Sequence, residues 1–216
     1  MENQNPDISY VLCLYRSYGI ENGLYSIINQ KKNAHISREV IIVNDASQDN
    51  AIEIACNLLS KFSVSYKVVN NNTNYGPSIS FNVGARSASG NYLVFMDADD
   101  FIPSHLEEKT LDIIKKEKGE WLFGKTYKID DDISGKEMDQ ISRLSSTKYR
   151  VVTDNILNYV LTKTRIAATY LMVEKRLFEK SGGFDEKCFI QDVPIFLRLA
   201  ISSKVLIYCE NYLFYF

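Results

Sequence analysis

Apolar runs of strand length alternate with segments of helical length along the first hundred residues. The runs are nearly continuous, which is typical of strands that are buried in a parallel sheet. The four candidate strands are residues 8–14, 38–45, 65–71 and 91–99. The candidate helices between them are residues 21–32, 47–62 and 77–89. This alternation predicts a doubly wound α/β fold, with a mostly parallel central sheet flanked by helices.

The second half of the chain follows the same pattern with more variation. Residues 104–119 predict a helix that begins with a capping box of Ser104 and Glu107 and ends at Gly119. Residues 130–150 are polar and have no clear period, which predicts a surface excursion. Further candidates are strands at 120–129, 168–175 and 205–216, and helices at 154–162, at 175–182 and after 191–194. We expect a single domain over residues 1–216.

Composition and charge exclude several classes of function. The 216 residues are 45% hydrophobic and 24% charged, which is typical of a globular domain. Acidic and basic residues are interspersed and the net charge is -2, so no basic stripe indicates a nucleic-acid polymer as partner. No apolar run reaches the roughly 18 residues of a transmembrane helix, and the polar N-terminus does not resemble a signal peptide. We expect a cytoplasmic protein, and leave open peripheral association with the inner face of the membrane.

Acidic side chains follow two of the predicted strands at the point where each strand ends. Asp45 follows the second strand, and Asp97, Asp99 and Asp100 follow the fourth. Because ligands of parallel sheets bind at the carboxyl ends of the strands, these carboxylates should gather at one edge. Carboxylates that lie so close together repel one another. A Mg²⁺ or Mn²⁺ ion bound by their oxygens would remove that repulsion. Turn or helix-cap roles for Asp45 and Asp100 remain an alternative.

Three motifs occur in a fixed order across the first half of the chain. They are VNDAS after the second strand, NYGPSISFNVG at the third helix and ASGNYLVFMDADD around the fourth strand. In this order they resemble the family 2 glycosyltransferases, which have the GT-A fold, and the resemblance runs from about Ile8 to about Arg198. The resemblance implies an inverting glycosyltransferase that moves a sugar from a nucleotide-diphosphate donor to an acceptor hydroxyl.

The resemblance also implies roles for individual residues. Asp45 would contact the nucleotide base, and Asp97 and Asp99 would serve the ribose, the diphosphate and the metal, with Asp99 as the direct metal ligand. The implied cofactor is Mn²⁺ or Mg²⁺, with Asp97 and Asp99 as its ligands. The implied donor-binding residues are Leu14, Tyr15, Arg16, Asp45, Asn74, Gly76, Asn82, Asp97 and Ala98. Residues 1–103 would hold the donor and the metal, and residues 104–216 would form the acceptor side.

The segment SGGFDEKCFIQDVPIFLR contains the implied catalytic base. In the family, the base lies in an E-D pair that follows a G-G-F-D-E segment. The resemblance therefore assigns the base to Asp192, with Gln191 at the position where Glu is commoner. Position alone favours another role, because an acid just before Pro194 makes a good helix N-cap. The two roles can coexist.

The chain departs from the family pattern at two places in the donor half. The stretch CLYR at residues 13–16 stands where P-x-Y-N is usual, and keeps only the tyrosine. Phe81 stands where an arginine usually precedes Asn82, which removes a cation that would face the donor. Whether Arg16 or Arg86 compensates is left open. Many family members also continue past the equivalent of YLFYF into a segment that closes over the diphosphate.

The sequence does not select the donor sugar or the acceptor. Uridine is the expected base because Asp45 can accept a hydrogen bond from its ring N–H, although guanine could donate similarly. Acceptors of this class are glycans, lipid-linked molecules or proteins. Two other functions stay open. One is a GT-A domain that has lost turnover and binds a nucleotide or a glycan. The other is a sugar nucleotidyltransferase, although CLYRSYGIENG fits poorly with the Gly-rich, basic loop that would cradle a triphosphate.

Overall fold

The strands and helices follow the predicted alternation in a computed structural model of the chain. The structure describes residues 5–17, 19–30, 36–127, 148–164, 170–188 and 190–215. The strands are β1 (Ile8–Leu14), β2 (Arg38–Asn44), β3 (Ser65–Asn70), β4 (Tyr92–Phe95), β5 (Trp121–Tyr127), β6 (Tyr149–Val152), β7 (Leu171–Glu174) and β8 (Leu206–Tyr215). The helices are α1 (Ile20–Ile28), α2 (Ala51–Lys61), α3 (Pro77–Ser87), α4 (Leu106–Lys116), α5 (Ile156–Lys163), α6 (Lys175–Ser181) and α7 (Asp192–Ser202).

The strands form an eight-stranded sheet in the order β3-β2-β1-β4-β7-β5-β8-β6. β1 pairs in parallel with β2 and β4, and β2 pairs in parallel with β3. β7 is antiparallel to β4 and β5, β8 is parallel to β5, and β6 is antiparallel to β8. These pairings confirm the predicted α/β fold with a mostly parallel sheet. Because β1 to β4 are parallel, their carboxyl ends lie at one edge of the sheet.

The two faces of the sheet bury separate apolar layers, because successive side chains of a strand point to opposite faces. In β1, Tyr10 and Leu12 belong to the layer that also contains residues of α1, α2 and α4. Val11 belongs to the other layer, with residues of α3, α5, α6 and α7. Helices therefore cover both faces, as a doubly wound fold requires. Among the described helices, none combines the length and the apolarity needed to cross a membrane.

The largest departures from the predicted strands are at β4 and β6. β4 ends at Phe95 and not at residue 99, because the chain turns there: the N–H of Asp100 donates to the carbonyl of Asp97 at 3.2 Å. The predicted excursion over 130–150 is wrong at its end, where β6 begins with Tyr149. The part of that excursion up to residue 147 lies outside the described residues.

The predicted capping box of α4 is wrong. Helix α4 begins at Leu106, and its N-cap residue, His105, makes no side-chain cap hydrogen bond. Glu107 instead accepts hydrogen bonds from Arg38 Nε at 2.8 Å and Arg38 Nη2 at 2.6 Å, and a third from the Tyr10 hydroxyl at 3.1 Å. The Glu107 side chain is 2% exposed, so this bidentate ion pair joins α4 to β2 inside the protein.

Candidate active site

The carboxyl ends of β1 and β2 bring Asp45 to the edge where a ligand would bind. Leu14 and Asn44 are paired as the last residues of the two strands. The N–H of Asp45 donates to the carbonyl of Leu14 at 2.9 Å, so Asp45 lies directly beyond this pair. Leu14 is buried, and this hydrogen bond shows its backbone fixing the start of the following turn.

Asp45 holds the loop that leads into α3. Its side chain accepts hydrogen bonds from Asn71 Nδ2 at 2.8 Å, from the N–H of Tyr75 at 3.0 Å and from the N–H of Gly76 at 2.8 Å. Asp45 is only 1% exposed. The role visible in the structure is therefore to fasten the segment 71–76, and contact of Asp45 with a nucleotide base stays a prediction.

The loop after β4 presents its acids on one side. Ala98 and Asp100 are buried, whereas Asp97 and Asp99 are exposed. This alternation orients the two carboxylates of the D-x-D motif toward solvent at the sheet edge. The motif that the sequence singled out thus forms the outer face of a loop whose inner face is packed.

Asp97 lies near two other carboxylates, those of Asp99 in the same loop and of Asp192 in a distant segment. Asp97 reaches solvent, yet the surrounding protein partly desolvates its carboxyl group. This partial desolvation, followed by the negative charges of Asp99 and Asp192, raises the pKa of the Asp97 carboxyl to about 6. The structure therefore brings together the predicted metal-binding pair and the predicted base.

Cys13 links this group to Asp45. Burial raises the pKa of the Cys13 thiol to about 12, and the charges of Asp45 and Asp97 act in the same direction, although a hydrogen bond with Ser80 opposes them. Asp45 and Asp97 therefore both lie near the same thiol near the end of β1. The acids that the sequence placed at two strand ends occupy one edge of the molecule.

The donor set at Asp97 and Asp99 fits a hard divalent cation. Both side chains offer carboxylate oxygens, and their mutual repulsion is the conflict that such a cation removes. Among the described residues, no group of three or more His, Cys, Asp or Glu side chains is arranged to hold a metal. Mg²⁺ and Mn²⁺ beside nucleotides usually take one or two carboxylates and fill their remaining positions with water and phosphate, so Asp97 and Asp99 would be sufficient protein ligands.

Asp192 is the first residue of α7 and not its N-cap. The N-cap residue is Gln191, which makes no side-chain cap hydrogen bond, so the predicted cap position of Asp192 is wrong by one residue. A carboxylate in the first turn is still favoured by the positive end of the helix dipole. Asp192 is half-buried, and its charge contributes to the raised pKa of Asp97.

Asn82 fastens the glycine-rich loop that precedes Asp192. Its Oδ1 accepts from the N–H of Phe184 at 2.9 Å, and its Nδ2 donates to the carbonyl of Phe184 and to Glu186 Oε1, each at 3.0 Å. Gly183 has φ +66°, and a Cβ there would lie 2.6 Å from Asn82 Oδ1. Asn82 therefore positions this loop against α3, and its contact with the donor stays a prediction.

Phe81 is part of the core. It is 2% exposed, stacks on Phe184 with ring centroids 5.1 Å apart and meets Phe95 edge to face at 5.5 Å. The position where an arginine is usual in the family is thus occupied by an apolar side chain buried in an aromatic cluster.

The remaining predicted donor residues lie in the loops after β1 and before α3. Tyr15 is 41% exposed, and the guanidinium of Arg16 lies 5.3 Å from the centre of its ring. Arg16 has φ +49°, and its N–H donates to Ser47 Oγ at 2.9 Å. Asn74 and Gly76 border a cavity of about 340 Å³ between the start of α3 and the loop after Phe184. The other residues that line this cavity are Tyr75, Pro77, Ser78, Glu186, Lys187 and Cys188.

An α/β sheet with acids clustered at its carboxyl edge is typical of proteins that bind a ligand at that edge. Sequence comparison identifies the family. The model of the family described as Glycosyl transferase family 2 matches residues 11–180. Since this match covers most of the chain, the chain belongs to glycosyl transferase family 2.

Curated relatives are similar over most of this chain. An uncharacterized glycosyltransferase of Haemophilus influenzae is 29% identical over 158 residues, which is 68% of this chain and 61% of the relative. The minor teichoic acid biosynthesis protein GgaB of Bacillus subtilis is 27% identical over 210 residues, which is 93% of this chain and 21% of GgaB. The chain thus spans 61% of the first relative and a much smaller share of the second.

Solved structures share the fold. The chain superimposes on S. aureus TarS in complex with UDP-GlcNAc with a TM-score of 0.78 and 20% identity, over 97% of this chain and 58% of TarS. The mannosyltransferase PcManGT from Pyrobaculum calidifontis, in complex with GDP-Man and Mn²⁺, gives a TM-score of 0.66 and 15% identity, over 99% of this chain and 57% of PcManGT. These likenesses confirm the predicted GT-A fold.

Proposed function

We propose that the protein transfers a sugar from a nucleotide-diphosphate donor to an acceptor hydroxyl, with inversion at the anomeric carbon. The observation that carries the proposal is that Asp97 and Asp99, in the exposed part of the loop after β4, lie close enough to Asp192 at the start of α7 for its charge to act on Asp97. Family membership supports the same reaction class. A site of this kind needs positive charge beside the leaving diphosphate, which a cation held by carboxylates supplies, and a proton acceptor beside the attacking hydroxyl.

Asp97 and Asp99 are the residues that would hold a divalent cation, Mn²⁺ or Mg²⁺. When bound, such a cation neutralises charge that develops on the diphosphate as the glycosidic bond breaks. The presence of Mn²⁺ with GDP-Man in PcManGT supports this assignment. The donor nucleotide would lie along Leu14, Tyr15, Arg16 and Ala98, beside the loop that Asp45 fastens at Asn74 and Gly76. A uridine diphosphate sugar is the proposed donor, which the UDP-GlcNAc complex of TarS supports.

Asp192 would act as the general base. As the acceptor oxygen forms its bond to the anomeric carbon, the bond from that carbon to the diphosphate breaks and its electron pair leaves with the diphosphate. The proton of the acceptor hydroxyl passes to the Asp192 carboxylate. Attack from the side opposite the leaving group inverts the anomeric centre without a covalent intermediate. A base of this kind typically contributes about 10² to 10⁴ in rate.

The acceptor would approach from residues 104–216, which supply Asp192 and the loop that Asn82 fastens. Residues 1–103 supply the donor side. A polysaccharide-type glycan is the first acceptor to examine, because one relative is named for minor teichoic acid biosynthesis. Lipid-linked and protein acceptors are the other two classes.

The test is hydrolysis or transfer from a panel of nucleotide sugars by the wild-type chain and by Asp192→Asn. The matched control is Asp112→Asn, which makes the same change on the exposed side of α4. We expect Asp192→Asn to lose about 100-fold or more in turnover while donor binding persists, and Asp112→Asn to match the wild type. Equal turnover in all three proteins would refute the base assignment. Donor binding without turnover by the wild type would favour a binding domain, and pyrophosphate release from a nucleoside triphosphate would favour a nucleotidyltransferase.

A further inference from the structure

The loop that carries Asp97 and Asp99 extends beyond the pairing of its strand. The pairing of β4 with β1 and β7 ends at Phe95. Beyond Phe95, Ala98 and Asp100 are buried, whereas the two acids of the motif are exposed. Whatever lies against the buried side of the loop therefore determines where the carboxylates on the other side are placed.

Gly23 of α1 lies against the backbone of this loop. A Cβ at Gly23 would lie 2.1 Å from the carbonyl oxygen of Ala98 and 2.7 Å from that of Asp100. Ordinary van der Waals contact begins at 3.4 Å, and backbone oxygens cannot rotate away as a side chain can. A side chain at this position would therefore displace the loop by about 1 Å. Glycine is unfavourable inside a helix relative to alanine, so helix stability does not explain its presence here.

Two buried polar residues hold the next part of the loop. The N–H of Ile102 donates to Ser26 Oγ at 3.2 Å. Gln30, which follows α1, donates from Nε2 to the carbonyl of Pro103 at 2.9 Å and accepts at Oε1 from the N–H of Glu107 at 3.1 Å. Ser26 is 3% exposed and Gln30 is 1% exposed, so water cannot readily replace these partners.

We infer that Gly23, Ser26 and Gln30, here named the α1 seat, fix the position of the D-x-D carboxylates relative to the donor. Their spacing of three and four residues places them along one side of α1. They are positioning residues that act through the backbone of the loop. The inference rests on the proposed function, because it concerns the same two carboxylates. A displacement of about 1 Å in such a site can reduce its function about 100-fold.

The experiment compares the wild type with Gly23→Ala, Ser26→Ala and a matched control, Gly84→Ala. A Cβ at Gly84 would lie 2.3 Å from Val11 Cγ1. The control therefore also introduces a clash at a glycine within a helix, but the clash is with a core side chain and not with the loop after β4. Hydrogen exchange of the amides of residues 96–102 reports the position and mobility of the loop without any ligand. Titration of UDP in the presence of MnCl2 reports the consequence for the carboxylates.

We expect faster exchange of these amides in both seat variants than in the wild type and the control. UDP affinity with Mn²⁺ should fall about 10- to 100-fold in Gly23→Ala and remain within about threefold of the wild type in Gly84→Ala. If Gly23→Ala does not fold, Ser26→Ala carries the test. Unchanged exchange in the seat variants, or an equal loss of UDP affinity in the control, would overturn the inference. A wild type that does not bind UDP with Mn²⁺ would count against the proposed function, and the exchange result would still decide the role of the seat.

Discussion

Replacing Glu39 by Gln should lower the free energy of unfolding at neutral pH, and this loss should become smaller as the pH falls. Glu39 of β2 is 4% exposed. Its Oε1 accepts hydrogen bonds from Ser9 Oγ at 2.7 Å, from the N–H of Ser89 at 2.6 Å and from Ser89 Oγ at 2.7 Å. Lys67 lies 3.0 Å from its other oxygen. This carboxylate joins β1 and β2 to the turn that precedes β4.

The pKa of Glu39 gives the expected magnitude. Burial alone would raise this pKa, but the hydrogen bonds from Ser89 and Ser9 and the ion pair with Lys67 lower it from 4.5 to about 2. At about 1.4 kcal/mol per pKa unit, this corresponds to about 3 kcal/mol of stability at pH 7. Lys67 is 49% exposed, so solvent screens its part, and we expect about 2 kcal/mol. Because the folded-state pKa is depressed, this stability is present above pH 4.5 and is lost as the pH falls toward about 2.

Urea denaturation of the wild type and of Glu39→Gln at pH 7 and pH 3 tests this reasoning. The difference in unfolding free energy between the two proteins should narrow by about 1 kcal/mol or more from pH 7 to pH 3. Glu53→Gln, which removes a carboxylate from the exposed side of α2, is the control for the substitution itself. A difference that stays constant over this range would refute the account of Glu39.

Two further predictions concern the ion pair of Arg38 with Glu107 and the carboxyl group of Asp97. Arg38→Met and Glu107→Gln should each cost about 3 kcal/mol in denaturant unfolding, because each leaves a buried partner without its counter-charge; losses below about 1 kcal/mol would contradict this. Desolvation and the charges of Asp99 and Asp192 raise the pKa of Asp97 to about 6, so this carboxylate is protonated below that pH. Calorimetry with UDP and Mn²⁺ should therefore show about tenfold weaker binding at pH 5 than at pH 7.5, and equal affinities would contradict the assignment of Asp97.

The alternation of apolar runs was sufficient to predict the α/β fold. β1 occupies the predicted residues, and β2 and β3 end one residue before their predicted ends. The runs of β1 and β2 are buried on both faces, which leaves little choice of element, whereas β3 is a partly exposed edge strand. β6 was missed because its four residues, YRVV, follow a polar stretch and are only partly buried. The capping box failed because Ser104 and Glu107 have the local spacing of a cap, whereas the distant Arg38 binds the glutamate more strongly.

Candidate site residues could be named from the sequence where they belong to a motif. Residues that act through tertiary contacts could not. The D-x-D acids and Asp192 were singled out from their segments, and the structure places them near one another, while their roles stay predictions. The role of the α1 seat could not be predicted from the sequence, because Ser26 and the residue that it contacts, Ile102, are 76 residues apart. Serine and glutamine are mostly exposed in proteins, so the burial of Ser26 and Gln30 against this loop could be seen only in the structure.

Calorimetric titration of UDP into the wild type and into Asp99→Asn, each with and without MnCl2, tests the central claim most directly. The claim is that Asp97 and Asp99, in the loop after β4, bind a divalent cation that in turn binds a nucleotide diphosphate. The account predicts that UDP binds the wild type only when Mn²⁺ is present, and that Asp99→Asn abolishes this binding while Asp112→Asn preserves it. Binding of equal strength without the metal, or unchanged binding by Asp99→Asn, would contradict it.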